Sequence, residues 1–295
     1  DFDRAVEALA IGFLALGLEK GDRLGIWSPN RLEWVLTQFA TARIGVILVN
    51  INPAYQLSEL EYSLNKVGCK ALVLAKNFKS SEYVKMIHTL APEIDKCLPG
   101  ELKSSRLPNL KHVVVMDAVE NLNGLWSFEN INNLGGHAEK LKLIEIDKNL
   151  TPDNPINIQF TSGTTGKPKG ATLSHYNIVN NANLITDRIN LTEIDRLAIP
   201  VPLYHCFGMV MGVLGAVSKG AAMVFPGESF DPKITLDALD KEKCTALYGV
   251  PTMFVAMLQE LDKTSRDLSR LRTGIMAGAL CPIEVMKKVN TQMNM

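Results

Sequence analysis

The part of the sequence best suited to chemistry is a run of glycine, hydroxyl and lysine side chains that directly follows an apolar stretch. It reads Phe160-Thr161-Ser162-Gly163-Thr164-Thr165-Gly166-Lys167-Pro168-Lys169-Gly170. Glycines permit tight turns with positive φ and outward-facing amides. The hydroxyls and lysines add hydrogen-bond donors and positive charge, which suit the oxygens of a phosphate chain. The segment therefore predicts a loop that wraps a polyphosphate rather than a flexible surface turn.

The spacing within this loop excludes three common motifs. A Walker A loop requires Gly-x4-Gly-Lys-Ser/Thr, but the second glycine position after Gly163 is Pro168, and Lys167 is followed by proline rather than by Ser or Thr. A dinucleotide fingerprint requires a second glycine two residues after Gly163, where the chain has Thr165. A nucleophile elbow requires a glycine two residues before its serine, and Ser162 lacks one.

Composition limits the class of protein. The chain has 295 residues, with 31 basic and 31 acidic side chains, a formal net charge of zero and 46% apolar residues. This balance is typical of a folded globular protein, and no basic block favours nucleic acid as a partner. The five cysteines are far apart and form no Cys-x-x-Cys pair, which predicts reduced thiols rather than a zinc cluster or a disulfide framework.

The elements that must position the loop alternate between short apolar runs and amphipathic stretches. Strands are predicted at residues 23–27, 46–49, 71–75, 112–116, 156–160, 197–201, 221–225, 245–249 and 272–276. Helices are predicted at 31–44, 58–66, 82–90, 174 to about 188, 207–217 and 252–261. Two further helices are predicted to begin at Asp231 and at Pro282. Repeated βα units predict an α/β fold with stacked, mostly parallel sheets flanked by helices, and ligands at the carboxyl ends of strands.

Three local patterns give sharper expectations. Ser58 and Glu61 have the spacing of a capping box at a helix start, and Asp231 followed by Pro232 predicts a second helix start. The stretch 120–150, rich in Asn, Gly and Lys, predicts a loop with at most one short helix. A seam near Pro152 and Pro155 divides the chain into α/β subdomains at 1–150 and 151–295.

Neither a membrane span nor a targeting segment is predicted. The longest apolar run without charge, residues 206–218, is shorter than the roughly 20 residues that cross a bilayer. The chain begins at Asp1, without an initiator Met, and stops soon after a helix start at Pro282. We expect both ends to be internal to a longer protein.

The loop closely resembles the signature loop of the adenylate-forming superfamily, which includes acyl-CoA synthetases, luciferases and peptide-synthetase adenylation domains. The resemblance spans nearly the whole chain. Residues 202–208, Pro-Leu-Tyr-His-Cys-Phe-Gly, resemble the second family motif, and residues 249–252 and 276–280 resemble later segments that line the acyl and adenine sites. Asn52-Pro53-Ala54-Tyr55 resembles an early structural motif. Phe230-Asp231 lies where the amino-group-binding aspartate of amino-acid-activating relatives is not expected, which favours a plain carboxylic acid.

The resemblance implies a role for each site residue. Residues Thr161 to Gly170 would bind the β- and γ-phosphates of ATP, Lys169 would act on the leaving pyrophosphate, and Thr165 would contact Mg²⁺. His205 would gate the acyl pocket and take part in catalysis. The remaining pocket residues would be Tyr204, Met209, Tyr248, Gly249, Ala277, Gly278 and Ala279.

The resemblance further implies a fatty acid–CoA ligase, in which this chain is part of the large N-terminal domain. Such an enzyme uses ATP, Mg²⁺ and coenzyme A, and the resemblance also implies a medium-chain fatty acid and the mitochondrial matrix. The magnesium-binding Tyr-Gly-x-Thr-Glu motif and the small C-terminal domain are not in these 295 residues, so we expect little turnover from the chain alone. Two alternatives remain open, a luciferase-like oxidative enzyme and a non-catalytic truncated product.

Overall fold

The computed structural model describes residues 1–119, 123–161 and 167–295. The chain forms two compact units, Asp1–Tyr176 and Asn177–Met295. The sequence placed a seam near Pro152 and Pro155, whereas the compact units divide after Tyr176. The strands that follow the two prolines pair with the first sheet and therefore belong to the first unit.

The first unit is built on a sheet of seven strands with helices around it. Its strands are β1 (Arg23–Trp27), β2 (Ile47–Asn50), β3 (Ala71–Leu74), β4 (His112–Val115), β5 (Trp126–Ser127), β6 (Pro155–Thr161) and β7 (Lys169–Ser174). Its helices are α1 (Phe2–Ala15), α2 (Leu32–Arg43), α3 (Leu57–Val67), α4 (Tyr83–Leu90), α5 (Phe128–Ile131) and α6 (His137–Asn149), with a 3₁₀ turn at Pro92–Lys96.

The order of strands in this sheet is β5-β4-β3-β1-β2-β6-β7. All neighbours are parallel except β7, which runs antiparallel to β6. The central strands β1 to β4 are almost wholly buried, as expected for a parallel sheet covered on both faces. β6 therefore lies beside the buried part of the sheet, and the segment that follows it begins at the carboxyl edge of the parallel strands.

The second unit has a smaller, fully parallel sheet in the order β11-β10-β8-β9. Its strands are β8 (Arg196–Ala198), β9 (Ala222–Val224), β10 (Ala246–Gly249) and β11 (Thr273–Met276). Its helices are α8 (Gly215–Lys219), α9 (Pro232–Lys241), α10 (Pro251–Leu261) and α11 (Ile283–Met293), with a π-helix at Phe207–Leu214. Helix α7 (His175–Arg188) begins at the end of the first unit.

The predicted α/β class with mostly parallel sheets is confirmed, and all nine predicted strands are present. The Asp231 cap is also confirmed, since its Oδ1 accepts a hydrogen bond from the Ile234 amide at 2.9 Å. Among the described residues, no helix has both the length and the apolar character needed for a bilayer crossing.

The structure differs from four local predictions. Helix α3 begins at Leu57, and its capping contact joins Glu59 to the Gln56 amide at 3.1 Å, so Ser58 and Glu61 are not a capping box. The stretch predicted as a loop contains the thirteen-residue helix α6. The segment after the signature loop forms the strand β7 before α7 begins. The helix predicted at 207–217 is a π-helix followed by α8.

Candidate active site

The signature loop connects the two strands of an antiparallel hairpin. Strands β6 and β7 pair Phe160 with Gly170 and Thr161 with Lys169, and Thr161 Oγ1 also donates to the Lys169 carbonyl at 3.4 Å. The predicted phosphate-binding residues Ser162, Gly163, Thr164, Thr165 and Gly166 lie outside the described residues, and so does the predicted metal contact of Thr165. The described part fixes where the loop leaves β6 and where it enters β7.

The β7 side of this hairpin presents two exposed cations, Lys167 and Lys169. Neither ammonium group forms an ion pair with a residue that the structure describes. Some other lysines of the first unit are paired with carboxylates, as Lys70 is with Asp22 at 2.7 Å. The hairpin therefore offers positive charge that is not neutralised by the described protein, as an anion site requires.

Sequence reasoning missed a tyrosine that contacts this hairpin. Tyr62 Oη donates to the Pro168 carbonyl at 3.2 Å, and the Lys167 Nζ lies 5.4 Å from the centre of the Tyr62 ring. Tyr62 and Pro168 are 106 positions apart in the chain. No local pattern links them, so only the folded arrangement of α3 and the β6–β7 hairpin reveals the contact.

In the second unit, the predicted acyl motif forms a tight turn before the π-helix. The His205 amide donates to the Pro202 carbonyl at 3.3 Å, and the amides of Gly208 and Met209 both donate to the His205 carbonyl at 3.0 Å. A Cβ atom on Gly208 would lie 2.3 Å from the Pro202 carbonyl oxygen. Only glycine fits there, because no side chain can be accommodated that close to the backbone.

The same turn fixes the tautomer of His205. The Phe207 amide donates to His205 Nδ1 at 3.1 Å, so Nδ1 is the acceptor and the neutral ring carries its proton on Nε2. The Cys206 Sγ lies 3.6 Å from the same nitrogen. Partial burial removes hydration from the imidazolium and lowers the pKa of His205. The exposed side chain thus presents a neutral Nε2–H, which makes no hydrogen bond with a described residue.

The other predicted pocket residues gather at the carboxyl ends of β10 and β11. Tyr248 and Gly249 end β10, paired in register with Ile275 and Met276 of β11. The Ala277 amide donates to the Gly249 carbonyl at 3.2 Å. Gly278 follows with φ of +89°, and Ala279 is exposed beside it. The structure therefore places all five predicted residues from these two segments at one edge of the second sheet.

An aromatic contact links this edge to the acyl motif. The Tyr248 and Phe207 rings stack with centroids 5.6 Å apart and an interplanar angle of 29°. Tyr248 is fully buried, and its hydroxyl has no hydrogen-bond partner among the described residues. Burial raises the pKa of both Tyr248 and Tyr204, so both hydroxyls stay protonated. Met209 is buried as well. Phe207 and Met209 therefore bring apolar side chains to the motif that contains His205, and neither tyrosine is ionised.

A metal ion held by the protein needs several ligating side chains close together. The described residues contain no group of three or more His, Cys, Asp or Glu side chains placed to hold a metal ion. Mg²⁺ prefers oxygen ligands such as carboxylates and phosphates, whereas Lys167 and Lys169 bring only positive charge to the hairpin. The described hairpin residues fit phosphate oxygens and do not fit a protein-held Mg²⁺ ion.

Comparison with protein families and curated proteins gives consistent matches. The family model described as "AMP-binding enzyme" matches residues 1–295. The chain is 50% identical over 291 residues to the zebrafish protein named medium-chain acyl-CoA ligase ACSF2, mitochondrial, covering 98% of this chain and 48% of that protein. It is 45% identical over 294 residues to the putative acyl-CoA synthetase YngI of Bacillus subtilis, covering 100% of this chain and 53% of that protein. The chain spans about half the length of these relatives.

Solved structures share the fold. The anthranilate CoA ligase AuaEII, in complex with anthranoyl-AMP, has a TM-score of 0.82 at 22% identity, covering 99% of this chain and 52% of that chain. The N-terminal domain of FACL13 from Mycobacterium tuberculosis has a TM-score of 0.78 at 20% identity, covering 98% of this chain and 65% of that chain. At this level of identity, the likeness supports the arrangement of sheets and helices described above.

Proposed function

Because the chain belongs to the AMP-binding enzyme family, we propose that the protein containing it is an ATP-dependent fatty acid–CoA ligase. The observation that carries this proposal is the β6–β7 hairpin, which presents the exposed cations Lys167 and Lys169 on either side of Pro168, neither of them ion-paired with a described residue. Relatives named medium-chain acyl-CoA ligase and putative acyl-CoA synthetase support the assignment to fatty acid activation.

The first half of the proposed reaction joins the acid to AMP. A carboxylate oxygen attacks the α-phosphorus of ATP, a new O–P bond forms, and the bond to the β-phosphate breaks to release pyrophosphate. Phosphoryl transfer gains most from positioning and from neutralising charge on the leaving group. We assign Lys169 to the pyrophosphate, with Lys167 and the loop Thr161–Gly170 contributing charge and donors.

The acid is proposed to bind beside the acyl motif of the second unit. His205 would donate its Nε2–H to the carboxylate and, by changing rotamer, control entry of the acyl chain. Phe207, Tyr248 and Met209 are buried in this structure, and we propose that they contact the acyl chain once it has entered. Tyr204, Gly249, Ala277, Gly278 and Ala279 complete the proposed pocket. The low pKa of His205 supports a neutral donor rather than a fixed cation.

In the second half, the thiol of coenzyme A attacks the acyl carbonyl of the adenylate. The new thioester bond replaces the bond to phosphate, AMP leaves with the electron pair, and the thiol proton passes to solvent. When bound, Mg²⁺ would neutralise charge on the phosphates of ATP, and we propose Thr165 as the residue of this chain that would contact it. Turnover is assigned to the longer protein, since the relatives are about twice the length of this chain.

The finer assignments rest on the relatives. Their names support a medium-chain fatty acid and a mitochondrial location. The bacterial relative YngI is nearly as similar to the chain, and it carries no mitochondrial label. We propose the mitochondrial matrix as the location and small molecules, namely fatty acid, ATP and coenzyme A, as the partners.

The proposal is tested by mixing the full-length protein with ATP, Mg²⁺, coenzyme A and straight-chain acids of graded length. Mass spectrometry should detect acyl-CoA and AMP in equal amounts, with a maximum at medium chain length. Reactions without oxygen should give the same yield, which separates a ligase from a luciferase-like oxidative enzyme. Absence of thioester with every acid, from a folded protein, would overturn the ligase assignment.

A further inference from the structure

We propose that Tyr62 is a positioning residue for the phosphate loop, and that it sets the affinity for ATP by holding the Lys167–Pro168 arm of the β6–β7 hairpin. This inference rests on the proposed function, because it concerns the nucleotide that the hairpin would bind. Two separate contacts carry it, one from the hydroxyl of Tyr62 and one from its ring.

The hydroxyl contact fixes the backbone of the arm. Tyr62 Oη donates to the Pro168 carbonyl at 3.2 Å. Proline has a fixed φ and no amide hydrogen, so its carbonyl is the one backbone group through which this residue can be held by hydrogen bonding. The next residue, Lys169, is already paired with Thr161 across the hairpin. Tyr62 thus fixes the backbone one residue beyond the strand pairing, at Pro168.

The ring contact orients a side chain. The Lys167 ammonium lies 5.4 Å from the centre of the Tyr62 ring, within the range of a cation–π interaction. This interaction leaves the positive charge intact, whereas an ion pair with a carboxylate would neutralise it. Lys167 is therefore restrained and remains attractive to a phosphate oxygen, with no ion-pair partner among the described residues.

Tyr62 can act as an anchor because α3 is itself held firmly. Leu60 and Leu64 are buried in the core of the first unit. On the outer side, Glu61 accepts two hydrogen bonds from Arg106, at 2.9 and 2.6 Å, and Asn65 donates to the Arg106 carbonyl at 2.9 Å. A helix fixed on both sides holds the Tyr62 hydroxyl at a constant position relative to the sheet.

Restraint of this arm should matter most for nucleotide binding. A loop that is ordered before the ligand arrives loses less conformational entropy on binding, so affinity rises without any new contact. Tyr62 itself needs no contact with the nucleotide. Its loss should raise the KM for ATP and leave the KM for the fatty acid unchanged, because the acid is assigned to the second unit.

The experiment measures acid-dependent exchange of pyrophosphate into ATP by the full-length enzyme. Tyr62→Phe removes only the hydroxyl, and we expect the KM for ATP to rise about three- to tenfold. Tyr62→Leu also removes the ring, and we expect a larger rise. Tyr83→Phe is the matched control, because it deletes a hydroxyl that donates to another proline carbonyl, that of Pro53, at 2.6 Å. The control should lower thermal stability and leave the KM for ATP unchanged.

A double-mutant cycle isolates the ring contact. If Tyr62 restrains Lys167, the effects of Tyr62→Leu and Lys167→Met on the KM for ATP should be less than additive. A wild type without exchange would overturn the proposed function and this inference with it. A wild type that exchanges normally, while the folded Tyr62→Phe and Tyr62→Leu variants keep its KM for ATP, would overturn only the inference. Circular dichroism and thermal melting establish that each variant is folded.

Discussion

Trp27 and Tyr83 stack face to face, with ring centroids 3.7 Å apart and an interplanar angle of 19°. Their polar atoms hold one turn, since Trp27 Nε1 donates to the Asn52 carbonyl at 3.1 Å and Tyr83 Oη donates to the Pro53 carbonyl at 2.6 Å. Asn52 Oδ1 also accepts from the Ala54 amide at 2.9 Å. The Asn-Pro motif found in the sequence is therefore a turn held by a buried aromatic pair, which gives its structural role a physical basis.

The stacked pair predicts a graded loss of stability. Tyr83→Phe leaves the buried Pro53 carbonyl without its donor, and we expect unfolding free energy to fall by about 1–3 kcal/mol. Trp27→Ala removes the stack and a large buried side chain, so the loss should be about 3–5 kcal/mol. Urea denaturation measures both. Ser80→Ala, which removes a hydroxyl at an exposed position, is the control and should change stability by less than about 0.5 kcal/mol.

Asp195 is a buried carboxylate of the second unit, and we expect its substitution to lower stability strongly. Asp195 is 1% exposed and accepts hydrogen bonds from Arg272 at 3.1 Å and from Thr245 at 2.6 Å, which links β8 to β10 and β11. Asp195→Ala would leave the Thr245 hydroxyl without this acceptor and remove the carboxylate partner of Arg272, which still donates to the Asn190 carbonyl, and we expect a loss of about 2–3 kcal/mol in the free energy of unfolding. Asp187→Ala removes an exposed partner of Lys219 and should cost less than about 1 kcal/mol. Equal losses in the two variants would contradict this account.

The buried His112 should make the free energy of unfolding depend on pH. Burial disfavours its charged form and lowers its pKa from 6.5 to about 4 in the folded protein. Between these values the unfolded chain binds more protons than the folded one, so stability falls as pH falls. The contribution is fully present above pH 6.5 and is lost toward pH 4, by up to about 3 kcal/mol.

The pH test compares wild type with His112→Gln. Urea midpoints measured from pH 8 to pH 4 should fall more steeply for the wild type below pH 6.5. The difference at pH 8 reports the packing cost of the substitution alone and serves as the reference. Parallel curves for the two proteins over the whole range would exclude His112 as the source of the slope.

We expect a substitution of His205 to impair recognition of the fatty acid and not of ATP. His205→Phe keeps a ring but removes the Nε2–H, and we expect kcat/KM for the fatty acid to fall about ten- to a hundredfold, because a hydrogen bond to a charged group is lost. The KM for ATP should stay unchanged. His137→Phe on the exposed surface of α6 is the control.

The tautomer of His205 can be tested separately. A long-range ¹H–¹⁵N spectrum should show the proton of neutral His205 on Nε2, and a proton on Nδ1 would contradict the tautomer.

The sequence predicted best where local patterns and packing agree. The strands are short apolar runs that the sheets bury, and Asp231 lies at a helix start that its own side chain caps. Helix α6 was missed because only Leu143 among its residues is buried. It is held instead by distant ion pairs, Lys140 with Glu7 and Asp147 with Arg43. Periodicity cannot reveal partners that become neighbours only on folding.

The same distinction between local patterns and long-range contacts applies to the candidate site. Lys169, His205 and Tyr248 could be proposed from the sequence because their motifs are contiguous. The antiparallel strand β7 was missed, since its glycine and polar residues suggested a loop. Tyr62 has no motif of its own and lies in a helix whose start was misassigned. Its contact with Pro168 depends on how α3 packs beside the hairpin. The two residues are far apart in the chain, so no local sequence pattern indicates that contact.

The most direct test of the central claim, that the β6–β7 hairpin holds the phosphates of ATP, is acid-dependent ATP–pyrophosphate exchange by full-length Lys169→Ala. Loss of one preorganised charged donor to the leaving group should lower the exchange rate about a hundredfold. Lys148→Ala, at an exposed lysine of α6, is the matched control and should exchange as the wild type does. A folded Lys169→Ala variant with the full wild-type rate and KM for ATP would contradict the account.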